Sequence, residues 1–269
     1  MTAKAPTKPS RRTADQVLAL VAHAAALHDV RAEVEANHDT NRWWPPSITD
    51  PRMRMLAAGW STRVSYRMVD TYAAVLDRAD ELGFDALADL DDDQVRELTA
   101  PIGLPAARLS YLRSLADTLT RWDKDGTDPA AWDTGQFIAA FARDVHGASY
   151  KVAQCAALYA RGYHCGIIPV DSGMVTKLAP ALGFTLPTGS AAHEHLRALL
   201  EHAVVRHTEP LRALAGGCEV TIPAEAAPTW FTHLTLIYFK RLYLNRPPAR
   251  LCSRRPLCPD VTGCAHTTT

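Results

Sequence analysis

The stretch from Val145 to Ala153, which reads V-H-G-A-S-Y-K-V-A, constrains the fold of this chain most strongly. Gly147 permits a tight turn in which a larger side chain would clash. Ser149 is a suitable N-cap for a helix that begins near Tyr150. Apolar residues recur at helical spacing on both sides of the turn. The sequence therefore predicts two helices joined by a short hairpin.

A lysine and an aspartate near this hairpin indicate a site with chemistry. Lys151 falls in the first turn of the second helix, where free backbone amides can hold a phosphate. A cation there opposes the helix dipole, which makes Lys151 a candidate nucleophilic amine. Asp171 follows that helix in the segment I-P-V-D-S, Ile168 to Ser172. The alternative interpretation is an ordinary helix with an exposed lysine and an aspartate that caps the next helix.

Helical periodicity extends over almost the whole chain, and convincing strand alternation is scarce. Proline and glycine separate the periodic segments, as at Pro45-Pro46, Gly83, Pro129 and Pro187. A chain of 269 residues that is 47% hydrophobic is long and apolar enough to bury a core. We therefore predict an all-α protein of about ten helices.

The two segments resemble motifs of the helix-hairpin-helix DNA glycosylase superfamily, and within it the endonuclease III branch. That family reads L-P-G-V-G-x-K-T-A at the hairpin and I-x-V-D-T-H after it. The first motif is matched here by Val145, Gly147, Ala148, Lys151 and Ala153. The second is matched by Ile168, Val170, Asp171 and Ser172, the last as serine for threonine. The resemblance covers the chain from near Thr49 to Cys264.

The resemblance implies that Lys151 is a Schiff-base lysine and Asp171 the catalytic carboxylate. Backbone amides of Gly147, Ala148 and Ser149 would hold a strand phosphate. The expected activity is a DNA base-excision repair glycosylase with AP lyase activity, which flips out and removes an oxidised pyrimidine and then cleaves the strand by β-elimination. The expected partner is double-stranded DNA. The protein is expected to be a cytoplasmic, nucleoid-associated monomer with no membrane contact.

The fold that the resemblance implies has two lobes, with the DNA in the cleft between them. Residues 49–166 would form a six-helix barrel lobe that carries the hairpin. The N-terminal helix region, residues 13–48, would join the C-terminal residues 167–244 in the other lobe. Residues 1–12 are expected to be a disordered basic tail, and residues 245–269 a cysteine-containing tail.

The chain departs from the family pattern at three motif positions. His146 stands in the place of the hairpin proline, and Ser149 in the place of the second glycine. Gly173 stands where the family carries a histidine after the aspartate motif. Together with Arg63, these residues suit the specialised role of a glycosylase-fold enzyme that edits or modifies thymine-type bases.

Two arginines are further candidates for DNA contacts. Where relatives carry L-S-A-Q, this chain reads W-S-T-R and ends at Arg63. The family glutamine enters the duplex near the vacated base, so Arg63 could fill that gap or contact the opposite strand. Arg108 follows I-G-L, as a lysine does in the family, and is expected to contact DNA in the same way.

Three other functions remain open for a chain with these motifs. A monofunctional glycosylase would use water activated by Asp171, even with Lys151 nearby. A glycosylase-fold enzyme could instead modify bases. A non-catalytic helix-hairpin-helix protein would only bind DNA, although retention of both Lys151 and Asp171 argues against it.

Three cysteines lie in the C-terminal segment, at Cys252, Cys258 and Cys264. Endonuclease III relatives end in C-x6-C-x2-C-x5-C, which holds a [4Fe–4S] cluster through four thiolates. Asn245 stands where the first of these cysteines belongs, and the loop between Cys252 and Cys258 is longer than in the family. The resemblance implies a cluster with three cysteine ligands and a fourth from His266, Cys218 or an exogenous group. Bound zinc, or no metal, is the alternative.

Net charge and its distribution bear on DNA binding in opposite ways. The formal net charge is zero, which gives no global support for nucleic-acid binding. Six basic residues, however, share a segment without acids: Lys240, Arg241, Arg246, Arg250, Arg254 and Arg255. Such a cluster is usually a solvated face, but a phosphate-contacting surface has the same composition.

Overall fold

The computed structural model of the chain describes residues 11–41, 43 and 47–245. This part of the chain contains thirteen α-helices and no β-strand, which confirms the predicted all-α class. None of the described helices is both long enough and apolar enough to cross a bilayer. The helices, in chain order, are α1 (Arg11–Ala25), α2 (His28–His38), α3 (Pro51–Trp60), α4 (Val69–Leu82), α5 (Phe84–Asp89), α6 (Asp92–Thr99), α7 (Pro105–Lys124), α8 (Thr134–Asp144), α9 (Tyr150–Arg161), α10 (Ala179–Ala181), α11 (Ala191–Arg206), α12 (Thr208–Gly217) and α13 (Thr229–Phe239).

The described residues divide into two compact units. One unit, the discontinuous unit, combines residues 11–39 with residues 164–245. The other, the continuous unit, is formed by the described residues between 40 and 163 and contains α3 to α9. The cleft expected between two lobes stays a prediction.

Local capping residues set several helix starts in the continuous unit. The Asp50 side chain accepts a hydrogen bond from the amide of Arg52, and Pro51 occupies the first helical position of α3. Asp91 with Gln94 forms a complete capping box at α6. Asp133 with Gln136 forms a second box, at the start of α8. These starts depend on residues within three positions of each other, so they can be read from the sequence.

Helix α3 forms the support on which α9 and α7 pack. Gly59 of α3 leaves space for the ring of Tyr111 from α7, since a Cβ atom at this position would overlap the ring. The Tyr111 hydroxyl donates to the carbonyl of Met55 at 3.0 Å. Tyr72 of α4 likewise donates to the carbonyl of Ala57, at 2.7 Å. Helix α9, which follows the predicted hairpin, therefore packs against a helix that is itself tightly packed.

Helix α13 lies in the core of the discontinuous unit. Ten of its eleven residues are buried, which is the pattern of a helix that is apolar on all sides. It packs against α1, α2 and α11, and the Trp230 indole donates to the carbonyl of His38 at 2.8 Å. A π-helical turn, Lys240–Leu244, continues from its C-terminal end. Burial of α13 therefore carries Lys240 into the interior.

Candidate functional site

The predicted hairpin is present between α8 and α9. Helix α8 ends at Asp144, and α9 begins at Tyr150. Gly147 has a φ of +83°, which residues with a side chain rarely adopt. The Ser149 hydroxyl accepts a hydrogen bond from the amide of Val152 at 3.4 Å, which confirms Ser149 as the N-cap. The serine thus performs a capping function that the family's glycine could not.

Helix α7 holds the hairpin in place. The amide of His146 donates to the Ser114 hydroxyl at 2.7 Å. The Thr118 hydroxyl donates to the carbonyl of Asp144 at 3.0 Å, and the Trp122 indole donates to the Asp144 carboxylate at 3.0 Å. Because proline has no N–H, the family's proline at position 146 could not form the bond to Ser114. The departure at His146 therefore has a structural explanation.

The three hairpin amides predicted to hold a phosphate differ in availability. The amide of Ala148 donates to the carbonyl of Val145 at 3.1 Å and is occupied. In the part of the chain that the structure describes, the amides of Gly147 and Ser149 form no hydrogen bond with another backbone group. Both residues are exposed. Two of the three amides can therefore receive an anion without breaking an existing bond.

Lys151 lies in the first turn of α9 and is partly exposed. Its side chain has no hydrogen-bond or ion-pair partner among the described residues. The Lys151 amine at the hairpin is therefore available to a ligand.

Arg108 lies inside the continuous unit, with an exposed fraction of 3%. Its guanidinium group donates to the carbonyls of Trp60, Ile102 (2.9 Å), Gly103 (2.6 Å) and Thr62 (3.3 Å). Burial lowers the pKa of Arg108, although arginine stays charged at neutral pH. This geometry gives Arg108 a structural role and does not support the expected DNA contact. The planar group also explains why arginine replaces lysine, since a lysine ammonium cannot reach four carbonyls arranged in this way.

Arg63 occupies the turn that Arg108 stabilises. It follows Thr62 directly and is exposed. Its φ of +59° lies in the left-handed region, where a residue with a side chain is strained. Strained residues cluster at ligand-binding positions, which favours a functional role for Arg63. The DNA contact of Arg63 stays a prediction.

The segment that leads to Asp171 belongs to the discontinuous unit and is anchored by α11. Residues 167–170 are buried. The amide of Ile168 donates to the Glu201 carboxylate at 3.0 Å, and Arg197 pairs with the same carboxylate at 2.7 Å. Burial raises the pKa of Glu201 despite the opposing effect of Arg197. These contacts fix the backbone immediately before Asp171.

The two carboxylate oxygens of Asp171 have different partners. Oδ1 accepts a hydrogen bond from the amide of Met174 at 2.7 Å, which is the capping role that the alternative interpretation predicted. Oδ2 accepts from the ammonium group of Lys240. The Asp171 side chain is 33% exposed, whereas that of Lys240 is 4% exposed. The carboxylate therefore reaches the surface, with its counter-ion buried behind it.

The charges around Asp171 keep it ionised. Burial raises the pKa of its carboxyl group, but the Lys240 ammonium, the Met174 amide and Arg241 together outweigh that effect. The pKa of Asp171 is therefore lowered from its ordinary value. Burial also lowers the pKa of Lys240, and Asp171 only partly reverses this. An ionised carboxylate at a partly exposed position can stabilise a cation or accept a proton.

Lys240 is buried and does not belong to the basic surface that was predicted from its neighbours in sequence. Lys240 is instead the first residue of the π-helical turn that continues the buried helix α13, and the run of apolar residues before it was the available signal. Gly173 is adjacent to this lysine: an added Cβ atom would lie 3.0 Å from Lys240 Nζ and 3.4 Å from Asp171 Oδ1. The glycine that replaces the family's histidine thus leaves space for the Lys240 side chain.

The three cysteines predicted to bind a cluster, Cys252, Cys258 and Cys264, lie outside the described residues, as does His266. Cys218, the other suggested fourth ligand, is buried, and its thiol contacts the carbonyl of Ala25 at 3.9 Å. Burial raises the pKa of Cys218, which disfavours the thiolate that binds metals. No group of three or more His, Cys, Asp or Glu residues within the described ranges is arranged to hold a metal ion.

Comparisons with known proteins identify the fold. No family model matches the chain, and a search of curated proteins finds no match. The chain is similar to the crystal structure of the 3-methyladenine DNA glycosylase MagIII of H. pylori bound to 1,N6-ethenoadenine. The TM-score is 0.57 and the identity 15%, over 86% of this chain and 97% of the other. The described chain therefore has the helical fold of that DNA glycosylase.

Proposed function

We propose that this protein is a base-excision repair DNA glycosylase, with Asp171 as its catalytic carboxylate. The observation that carries the proposal is the partly exposed carboxylate of Asp171, kept ionised by the buried ammonium of Lys240. The likeness of the fold to a DNA glycosylase supports the same assignment.

The chemistry of base release requires a fixed negative charge. When the N-glycosidic bond breaks, the base leaves with the bonding electron pair, and positive charge develops on the sugar. The Asp171 carboxylate would stabilise that charge. It would also take a proton from the water that adds to C1′. Both roles need an ionised group that reaches the surface, which is the state of Asp171.

The hairpin and Arg63 would hold the DNA in this proposal. The free amides of Gly147 and Ser149 lie just before the N-terminus of α9, and helix N-termini bind phosphate well. Exposed Arg63 supplies a cation on the same unit. A base inside a duplex is out of reach, so the target nucleotide would be flipped out of the stack.

Two classes of damaged base are proposed as substrates. Oxidised pyrimidines follow from the motif resemblance. Modified purines follow from the structural neighbour, which is a 3-methyladenine DNA glycosylase bound to 1,N6-ethenoadenine. Single-turnover base release should be measured on duplexes that carry one lesion of each class.

The variant to compare with wild type is Asp171→Asn, which keeps the size of the side chain and the oxygen that caps the following turn. We expect wild type to release at least one of these bases, and we expect the rate with Asp171→Asn to be lower by a factor of about 100 or more. DNA affinity should stay nearly unchanged. Equal rates for the two proteins, or no release from any duplex, would contradict the proposal. Lost DNA binding by the variant would instead indicate that Asp171 stabilises the fold.

We propose AP lyase activity through Lys151 as a second activity, favoured by the absence of a described partner for its side chain. The Lys151 amine would attack C1′ as the base leaves, and the resulting Schiff base would permit β-elimination. Borohydride trapping on abasic duplex DNA tests this step. We expect an adduct with wild type and with Lys124→Ala, an exposed lysine of the same unit, but none with Lys151→Ala. No adduct with wild type would indicate a monofunctional glycosylase.

We also propose a [4Fe–4S] cluster at Cys252, Cys258 and Cys264, supported by their spacing alone. The same spacing supports assignment to the endonuclease III branch. Iron and acid-labile sulfide should be present in the purified protein and lost in Cys258→Ser. Protein that contains neither would contradict the cluster while leaving the glycosylase proposal intact.

A further inference from the structure

We infer that Lys240 is a positioning residue, whose ammonium group holds the Asp171 carboxylate in place for base release. The Lys240 side chain occupies space that is open because residue 173 is a glycine. The role of Lys240 in base release rests on the proposed function, but the effect of Lys240 on the pKa of Asp171 can be measured independently of base release.

The contact is specific to Oδ2 of Asp171. Capping of the following helical turn uses Oδ1 and the amide of Met174, so capping does not account for the ammonium at Oδ2. Among the described residues, Asp171 is the hydrogen-bond partner of the Lys240 ammonium. The π-helical turns Met174–Leu178 and Lys240–Leu244 pack against each other and bring the two side chains together.

Gly173 provides space for the Lys240 side chain and is not needed for its backbone conformation. Its φ of −72° and ψ of −30° are ordinary helical values that any residue adopts. An added Cβ atom would nevertheless lie 3.0 Å from Nζ and 3.2 Å from Cδ of Lys240. Gly173→Ala should therefore shift the Lys240 ammonium by a few tenths of an ångström without straining the backbone.

The other charges near the pair cannot replace Lys240. Arg241 acts on both groups and Lys177 acts on the lysine, but neither forms a hydrogen bond with Asp171. Helix α11 packs against the Met174–Leu178 turn, and three of its charged residues are paired through Arg197: Glu194, Arg197 and Glu201. Without the Lys240 contact, the effect of burial on Asp171 would dominate, and the carboxyl pKa would rise.

The pKa of Asp171 can be measured by a carboxyl-carbon NMR titration of the full chain, with Asp171→Asn used to assign the resonance. We expect the pKa of Asp171 to rise in both Lys240→Met and Gly173→Ala. Gly216→Ala is the matched control, because a Cβ atom at this exposed position in α12 meets nothing within 4 Å. The acid limb of base release should move to higher pH in the same two variants.

The readouts separate failure of this inference from failure of the proposed function. An unchanged Asp171 pKa in Lys240→Met and Gly173→Ala would overturn the role of Lys240, whatever the activity. A loss of rate that is equal at every pH would also overturn it, because a merely structural defect would not move the acid limb. If the pKa rises but wild type releases no base, the Lys240 contact is upheld and the glycosylase proposal is contradicted. If Lys240→Met does not fold, Gly173→Ala decides the question, since its backbone conformation suits alanine.

Discussion

The Nζ atom of Lys240 donates a hydrogen bond to the Oδ2 atom of Asp171 across 69 positions of sequence. The pair is asymmetric, since the carboxylate is 33% exposed and the ammonium 4%. A buried lysine normally loses its charge unless an acidic group accompanies it. Here the pairing keeps the aspartate ionised at a position that a ligand can reach.

The lowered pKa of Asp171 predicts how base release depends on pH. A group whose pKa is lower in the folded state keeps its ionised form there until the pH falls through that lower value. Its contribution to stability is complete above the ordinary pKa and is lost as the pH falls from the ordinary value to the lowered one. Base release should therefore show no acid limb from Asp171 above its ordinary pKa of 3.8. Single-turnover rates measured from neutral pH downward test this, with Asp171→Asn reporting the spontaneous loss of the base. If the rate falls to half of its maximum at a pH well above 3.8, the expectation is contradicted.

Arg63→Gly should stabilise the protein and weaken DNA binding. Glycine relieves the strain at a φ of +59°, which is worth about 1 kcal/mol in the free energy of unfolding. The lost cation should raise the Kd for duplex DNA and reduce the salt dependence of binding by about one counter-ion. Glu219→Gly is the control, since Glu219 has a φ of +57° and should gain stability without weakening DNA binding. Equal affinities of Arg63→Gly and wild type would exclude a DNA contact.

His146→Pro should lose the hydrogen bond to Ser114, and a double-mutant cycle isolates its contribution. Urea unfolding of wild type, His146→Pro, Ser114→Ala and the double variant should give a coupling free energy of about 1 kcal/mol. Additive effects would show that the 2.7 Å contact contributes nothing measurable.

Arg108→Lys should destabilise the continuous unit by about 1 to 3 kcal/mol. An ammonium group cannot serve the four carbonyls that the guanidinium group now reaches, so buried acceptors lose their donors. Arg67→Lys, at an exposed position, should change the free energy of unfolding by less than about 0.5 kcal/mol. If both variants are equally stable, Arg108 does not have the structural role assigned to it.

The hairpin shows what can be predicted from local sequence. Gly147 permits the turn by its own conformational freedom, and Ser149 caps α9 through an amide three residues away. The helix starts at Asp50, Asp91 and Asp133 follow the same rule. The number of helices was less accessible: about ten were predicted from periodicity. The described residues contain thirteen, including the three-residue α10, because short elements carry too little periodicity to be separated.

The arginines and lysines show where local sequence was insufficient. Arg63 and Arg108 both matched positions near family DNA contacts, yet Arg63 is exposed and Arg108 is buried against four carbonyls. Lys240 was expected from the sequence to be one of several surface cations, but it lies in the core because it directly follows the buried helix α13. A side chain's own neighbours in sequence do not determine whether it is buried or which charge it meets.

The amino-acid sequence by itself determined the all-α class, the hairpin, its caps and Asp171 as a candidate carboxylate. These features depend on backbone conformation and on hydrogen bonds between residues a few positions apart. Only the tertiary structure decided that Lys240 accompanies Asp171, that Gly173 makes space for it, and that Arg108 is internal. Each of these depends on how distant segments pack into a common core, which the order of residues along the chain does not specify locally.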